Sequence, residues 1–151
     1  MADTRYLKSV VENHIRAWLK DRFDQRFKSV FLPLMGVQGS PRTHEFDAVS
    51  DDGTIVCGIK TASWKTSSLK RGSGKVQGAY TELYFLDHVT AREKYLVLTD
   101  LEFFDCFTRE TRGRLGTGLP LLHCPLPEDL CREIASIRLK SRGELRFDGS
   151  A

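Results

Sequence analysis

The sequence predicts an α/β fold, in which a mixed β-sheet is flanked by helices. Three observations support this prediction: an amphipathic segment near the start, an Asp-Gly turn between two alternating segments, and a helical pattern followed by an apolar strand. The turn predicts antiparallel pairing, whereas a helix between two strands can return the chain to a parallel neighbour. We therefore expect an antiparallel meander extended by a parallel strand.

The chain begins with a predicted helix over residues 4 to about 23. Its apolar residues recur at spacings of three and four and form one stripe, made of Leu7, Val11, Ile15, Trp18 and Leu19. Glu12 lies at the margin of this stripe, where a carboxylate can face a cleft or simply be solvated. Residues 27–37 form a predicted first strand, and Pro33 favours an edge position for it.

A predicted hairpin follows, with strands over residues 43–50 and 54–62 and a turn at Asp51, Asp52 and Gly53. Strand alternation puts His44, Phe46 and Ala48 on one face and Glu45, Asp47 and Val49 on the other. In the second strand, Gly58 and Lys60 share a face with Val56. We expect Asp47 and Lys60 to lie on the same side, together with Glu45.

The rest of the chain alternates helices and strands. Residues 63–75 are polar and basic and predict a loop. Predicted helices cover residues 76–90, 101–112 and 127–139, and predicted strands cover residues 94–100 and 120–124. We expect one domain over residues 1–140, with a polar tail over residues 141–151.

Composition excludes some classes of protein. Of 151 residues, 40% are hydrophobic and 28% charged, which is unlike a disordered or membrane protein. Twenty-three basic and 20 acidic residues give a net charge of +3, which permits a nucleic-acid partner. No apolar run has the length of a membrane span, and the first residues lack a signal-peptide core. The four irregularly spaced cysteines predict free thiols, so we expect a cytoplasmic protein.

Asp47 and Lys60 suggest phosphodiester chemistry. A carboxylate is a hard oxygen ligand for Mg²⁺, and a lysine beside it can orient water or stabilise charge on a phosphate. A bound metal also lowers the pKa of an attacking water. The alternative for two such residues on paired strands is a cross-strand ion pair without function.

The segments FDAVS, with Asp47, and IVCGIKTAS, with Lys60, resemble the PD-(D/E)xK nuclease superfamily, also called restriction-endonuclease-like. The resemblance covers about residues 12–100. It implies a metal-dependent nuclease with Mg²⁺ or Mn²⁺ as cofactor, held by Asp47 and the backbone carbonyl of Ile59. It also implies roles for Glu12 in the first helix and Gln77 in the second. Tyr80 follows Gln77 one residue earlier than in the family motif.

The sequence departs from the family pattern at Gly58. The second acid of the motif should stand two residues before Lys60, and glycine has no side chain to bind a metal. Glu12 and Glu45 are the predicted replacements. Some relatives carry the glutamate in the following helix, where Glu82 is found. However, the helical period puts Glu82 and Gln77 on opposite flanks, so we do not expect them to share one site.

The basic loop predicts contact with a phosphate backbone. Cations around a flexible segment can follow such a backbone, and an aromatic ring can stack on an unpaired base. The candidate residues are Trp64, Lys65, Lys70, Arg71 and Lys75. The alternative is a solvated loop with a half-buried tryptophan.

Three functions are compatible with these observations. The first is a nuclease with an altered site that cleaves DNA. The second is a catalytically inactive nuclease fold that binds nucleic acid or supports protein assembly. The third is a protein-interaction domain without a nucleic-acid role. The expected partner is DNA, with RNA as an alternative. A homodimer is compatible with the resemblance.

Overall fold

The computed structural model describes residues 4–36, 42–65, 72–112 and 120–137. The predicted elements are found in the predicted order. The described elements are α1 (Thr4–Phe23), β1 (Phe27–Pro33), β2 (Thr43–Ser50), β3 (Ile55–Lys60), α2 (Ser73–Asp87), β4 (Glu93–Leu98), α3 (Leu101–Arg112), β5 (Leu121–His123) and α4 (128–137).

The strands form one five-stranded mixed sheet in the order β1-β2-β3-β4-β5. The pairs β1–β2 and β2–β3 are antiparallel, whereas β3–β4 and β4–β5 are parallel. The predicted α/β class, with a meander and a parallel extension, is therefore confirmed. β1 lies at an edge of the sheet, as Pro33 indicated, because a proline cannot donate a ladder hydrogen bond in a central strand.

The chain divides into two compact units, and Arg16–Pro125 is the larger. Its main core lies between one face of the sheet and the helices α2 and α3, and its largest buried side chains include Phe46, Phe103 and Phe107. On β3 and β4 the core side chains alternate, so Val56, Leu96 and Leu98 face α2. The opposite face carries Tyr95, whose ring contacts Phe23 at the end of α1 with centroids 5.5 Å apart.

The smaller unit comprises Met1–Ile15 and Leu126–Ala151. Among its described residues, the buried apolar ones are Val11 and Ile15 on α1 and Leu130 and Ile134 on α4, each pair at the four-residue spacing of an amphipathic helix. The proposed tail over residues 141–151 lies outside the described residues. The expectation of one domain over residues 1–140 stays a prediction.

Several elements differ by one or two residues from the predicted bounds, and β1 and α2 differ most. β1 ends at Pro33 instead of residue 37, and α2 begins at Ser73, three residues before the predicted start. The first turn of α2 closes when the Val76 amide donates to the Gly72 carbonyl at 3.0 Å, so the glycines of this segment start the helix. None of the helices in the described part of the chain is long and apolar enough to cross a membrane.

Candidate functional site

β2 contains a β-bulge at Asp47 and Ala48. Lys28 pairs with Val49 and Val30 pairs with Phe46, so a single β1 residue faces two residues of β2. A bulge interrupts side-chain alternation, and Phe46 and Val49 consequently lie in the same core cluster. The prediction that Val49 shares a face with Glu45 is therefore wrong, because alternation holds only in an uninterrupted strand.

The bulge positions Asp47 where β2 and β3 separate. The paired register of these strands comprises Ala48 with Cys57 and Val49 with Val56. Beyond these pairs, the Ile59 amide of β3 bonds to a side chain of β2 and not to its backbone. Oδ2 of Asp47 accepts this hydrogen bond at 2.8 Å. Arg16 Nε donates to the Asp47 carbonyl at 3.0 Å. Asp47 is thus fixed at its main chain and at one carboxylate oxygen.

The backbone of Ile59 faces Asp47. In a strand, the N–H and C=O of one residue point toward the same neighbouring strand. Since the Ile59 amide is bonded to Asp47, the Ile59 carbonyl is also directed toward the opening between β2 and β3. This orientation suits the ligand role that the family resemblance implies for that carbonyl.

Gly58 leaves a space that Glu82 occupies. A Cβ atom built on Gly58 would lie 2.5 Å from Cγ and 2.8 Å from Oε1 of Glu82, closer than a real Cβ approaches any atom. Glu82 lies in α2 and is only 7% exposed. The space next to Gly58, which a side chain on β3 would otherwise fill, is therefore occupied by the carboxyl end of a residue from the neighbouring helix.

Lys60 lies on the same side of the sheet as Gly58 and Glu82. Its Nζ is 3.9 Å from the position of a Cβ built on Gly78, which is one helical turn before Glu82. The predicted shared face of Val56, Gly58 and Lys60 is confirmed, because all three contact or face α2.

The charges around Glu82 interact with one another. The pKa of Glu82 is raised, mainly because burial disfavours the charged carboxylate. The charge and hydrogen bond of His44 act in the opposite direction. The negative charge of Asp47 raises the pKa of Glu82 further, and the positive charge of Lys60 lowers it. A buried carboxyl group that interacts with a second acid and a lysine is typical of functional sites.

His44, on β2, contacts the Glu82 side chain directly. Its Nε2 lies 3.3 Å from Glu82 Oε1. The imidazole stacks on Phe85 with centroids 4.0 Å apart and meets Phe46 edge-on at 4.8 Å. His44 and Glu82 were not selected as site residues from the sequence. The signal that points to Glu82 is the glycine at position 58, which requires an acid from elsewhere if the site is complete.

The other predicted acids and the helix glutamine lie in different surroundings. Glu45 is exposed and accepts a hydrogen bond from Ser29 Oγ at 2.7 Å. It lies between His44 and Phe46, which face α2, so the expectation that Glu45 shares a side with Lys60 is wrong. Glu12 belongs to the smaller unit and pairs with Lys8 at 3.8 Å. Gln77 is exposed, whereas Glu82 is buried, in agreement with their predicted opposite flanks. The roles proposed for Glu12, Glu45 and Gln77 stay predictions.

The donor set fits a sparse site for a hard cation. Within the described residues, no group of three or more His, Cys, Asp or Glu side chains is arranged to hold a metal ion. Mg²⁺ needs fewer protein ligands, since it is usually bound by one or two carboxylates and keeps water or substrate phosphate oxygens as its other ligands. Asp47 and Glu82 can supply these two carboxylates, and the Ile59 carbonyl can supply a neutral oxygen.

The start of the basic loop is attached to α3. The Trp64 amide donates to Asp100 Oδ2 at 3.0 Å, and the Trp64 ring meets Phe103 edge-on at 5.3 Å. Lys65 pairs with Glu102 at 3.1 Å, with both side chains about half exposed. Lys75 is exposed in the first turn of α2. Lys70 and Arg71 lie outside the described residues, and nucleic-acid binding by this loop stays a prediction.

Comparison with known proteins gives no independent assignment. No protein-family model matches the chain, and neither a curated protein nor a solved structure matches it. The functional argument therefore depends on the residues around Gly58.

Proposed function

We propose that this protein is a metal-dependent nuclease in which Glu82 replaces the second acid of the PD-(D/E)xK motif. The observation that carries the proposal is the contact between Gly58 and Glu82, whose carboxyl group occupies the place of a side chain on β3. The proposed ligands for Mg²⁺ or Mn²⁺ are Asp47, Glu82 and the Ile59 carbonyl. DNA is the proposed substrate, following the family resemblance.

Each residue has a distinct proposed task. Asp47 is held in place by the Ile59 amide and Arg16, so it needs little reorganisation before binding a cation. The Lys60 ammonium orients the attacking water or stabilises negative charge that develops on the phosphate. When bound, the metal polarises the phosphate and lowers the pKa of the attacking water.

Exchange of the acid between its two positions tests this proposal. We expect Glu82→Ala to reduce Mg²⁺- or Mn²⁺-dependent cleavage of plasmid and branched DNA by roughly 100-fold or more, as expected on loss of a major electrostatic contribution. Gly58→Glu alone should also be defective, because two side chains then compete for one space. Cleavage by the double variant, Gly58→Glu with Glu82→Ala, should exceed that of Glu82→Ala by about tenfold or more.

Asp87→Ala is the matched control, because Asp87 is an acid on the same helix but is exposed. Lys60→Ala should abolish cleavage while leaving the metal affinity nearly unchanged, since Lys60 binds no cation. Cleavage that survives Asp47→Ala, Lys60→Ala and Glu82→Ala would overturn the proposal. All variants are compared at equal folded fraction, measured by circular dichroism.

The inactive-module alternative has one observation in its favour, which is the absence of a three-residue metal group among the described residues. This alternative predicts salt-sensitive binding of DNA or RNA without cleavage by the wild-type protein. Substituting the basic-loop residues Lys65, Lys70 and Arg71 should then weaken binding, because each removes a phosphate contact. Binding of labelled oligonucleotides at two salt concentrations, measured beside the cleavage assay, separates the two functions.

A further inference from the structure

His44 is placed to control the position of the Glu82 side chain. Its ring is held on two sides, by Phe85 in α2 and by Phe46 in β2. These contacts leave Nε2 at 3.3 Å from Glu82 Oε1. The His44 side chain is 25% exposed and that of Glu82 is 9% exposed, so the contact is largely shielded from water.

The position of Glu82 requires such a constraint. A glutamate has three side-chain torsions, and a carboxyl group in a largely apolar region would turn toward water unless it had a partner. Instead, Glu82 Oε1 lies both near His44 and over Gly58, within 2.8 Å of the place of an absent Cβ. The contact with His44 gives the Glu82 carboxyl group such a partner in this position.

We propose that His44 is a positioning residue, which holds the carboxyl group of Glu82 over Gly58 and so directs it toward Asp47 and Lys60. The residue acts through Glu82 and needs no contact with substrate. Its effect on metal affinity rests on the proposed function, whereas its effect on the place of Glu82 does not. The two effects are therefore tested separately.

The first experiment requires no metal and uses Gly58 as a sensor. Gly58→Ala adds a Cβ that collides with Glu82, and the three atoms nearest to this Cβ all belong to Glu82. If His44 holds Glu82 in place, Gly58→Ala should lower the melting temperature less in a His44→Phe background than in the wild type. His44→Phe keeps an aromatic ring between Phe46 and Phe85, but this ring is slightly larger and has no nitrogen atom that could contact Glu82.

Glu82→Ala sets the upper limit of this relief, because it removes the colliding atoms altogether. We expect the loss caused by Gly58→Ala to fall by at least about half in the His44→Phe background and to disappear in the Glu82→Ala background. Equal losses in the wild-type and His44→Phe backgrounds would overturn the proposal. If His44→Phe does not fold, His44→Leu provides the same comparison, because leucine also has no polar side-chain atom.

The second experiment measures Mn²⁺ affinity by isothermal titration calorimetry. Removing the partner that orients a metal ligand typically costs about 10- to 100-fold in affinity, and we expect a loss in this range for His44→Phe. His44→Gln keeps a polar group and should recover most of this loss, which a general packing role would not explain. Undiminished Mn²⁺ affinity in His44→Phe would refute the positioning role.

The two experiments separate failure of the inference from failure of the proposed function. A wild-type protein that binds no Mn²⁺ would refute the proposed metal site. The stability comparison with Gly58→Ala would still decide whether His44 fixes Glu82. Conversely, additive stability effects together with normal Mn²⁺ binding would refute the role of His44 alone.

Discussion

The surroundings at the two ends of the β2–β3 hairpin shift the pKa of a carboxyl group in opposite directions. At the turn, Asp52 accepts hydrogen bonds from the amide and hydroxyl of Thr54 and from the hydroxyl of Ser50, at 2.7–3.0 Å. These bonds, led by the Thr54 amide, lower the pKa of Asp52 from 3.8 to about 2. At the open end, Glu82 is buried beside Gly58, and burial raises its pKa.

The difference separates folding from candidate chemistry within one supersecondary unit. Asp52 is exposed, and Ser50 and Thr54, the main partners of its carboxylate, lie two residues away, so this carboxylate stabilises a local turn. Asp47, His44, Lys60 and Glu82 come from three elements and meet only in the folded chain. Groups assembled in this way contribute less to local structure and are better suited to bind something else.

The largest expected effect is at Asp47. Asp47→Asn keeps an acceptor for the Ile59 amide but removes the negative charge, so the fold should be retained and Mn²⁺-dependent cleavage should fall by roughly 100-fold or more. Asp52→Asn is the control at the other end of the hairpin and should cleave like the wild type. A cleavage assay compares the two variants. Equal loss of activity in both would contradict the distinction between the two ends of the hairpin.

A smaller effect distinguishes the two hairpin glycines. Gly53 has a φ of +74° and open space around it, so Gly53→Ala should reduce the free energy of unfolding by about 1–2 kcal/mol through backbone strain. Combining it with Glu82→Ala should give no relief, in contrast to Gly58→Ala, whose cost comes from a side-chain collision. Urea denaturation of the wild type, the three single variants and the two double variants measures this contrast, and equal relief at both glycines would contradict it.

The smallest expected effect is the pH dependence at the turn. Because the folded state lowers the pKa of Asp52, the resulting stabilisation is present above about pH 4 and is lost as the pH falls toward 2. Asp52→Asn should therefore lower the melting temperature at pH 7, and the difference from the wild type should shrink as the pH falls through this window. Thermal melts between pH 2 and 7 test this, and a difference independent of pH would contradict it.

Most of the fold follows from local patterns in the sequence. The apolar stripe of α1, the Asp-Gly turn and the apolar centre of β4 each determine one element without long-range information. The parallel connection between β3 and β4 follows from the helix between them, since such a crossover needs a long return segment. The α3 prediction matches its observed bounds, Leu101–Arg112.

The arrangement of the candidate site was harder to predict, for two physical reasons. The bulge at Asp47 and Ala48 changes which residues share a face, and its register depends on pairing with β1. The placement of Glu82 depends on the rotation of α2 over the sheet, which a helical wheel does not give. The wheel correctly separated Glu82 from Gln77, but it did not show which of them faces Gly58.

The extra residue of the bulge also determines which face of the sheet residues 43–46 point toward. Deleting Ala48 would restore regular alternation in β2, and every residue of the strand before position 48 would then face the opposite side of the sheet. His44 and Phe46 would then turn away from α2, and Glu45 would turn toward it. A single-residue deletion would thus change which side chains of β2 face Glu82, without changing the chemical identity of any side chain that remains.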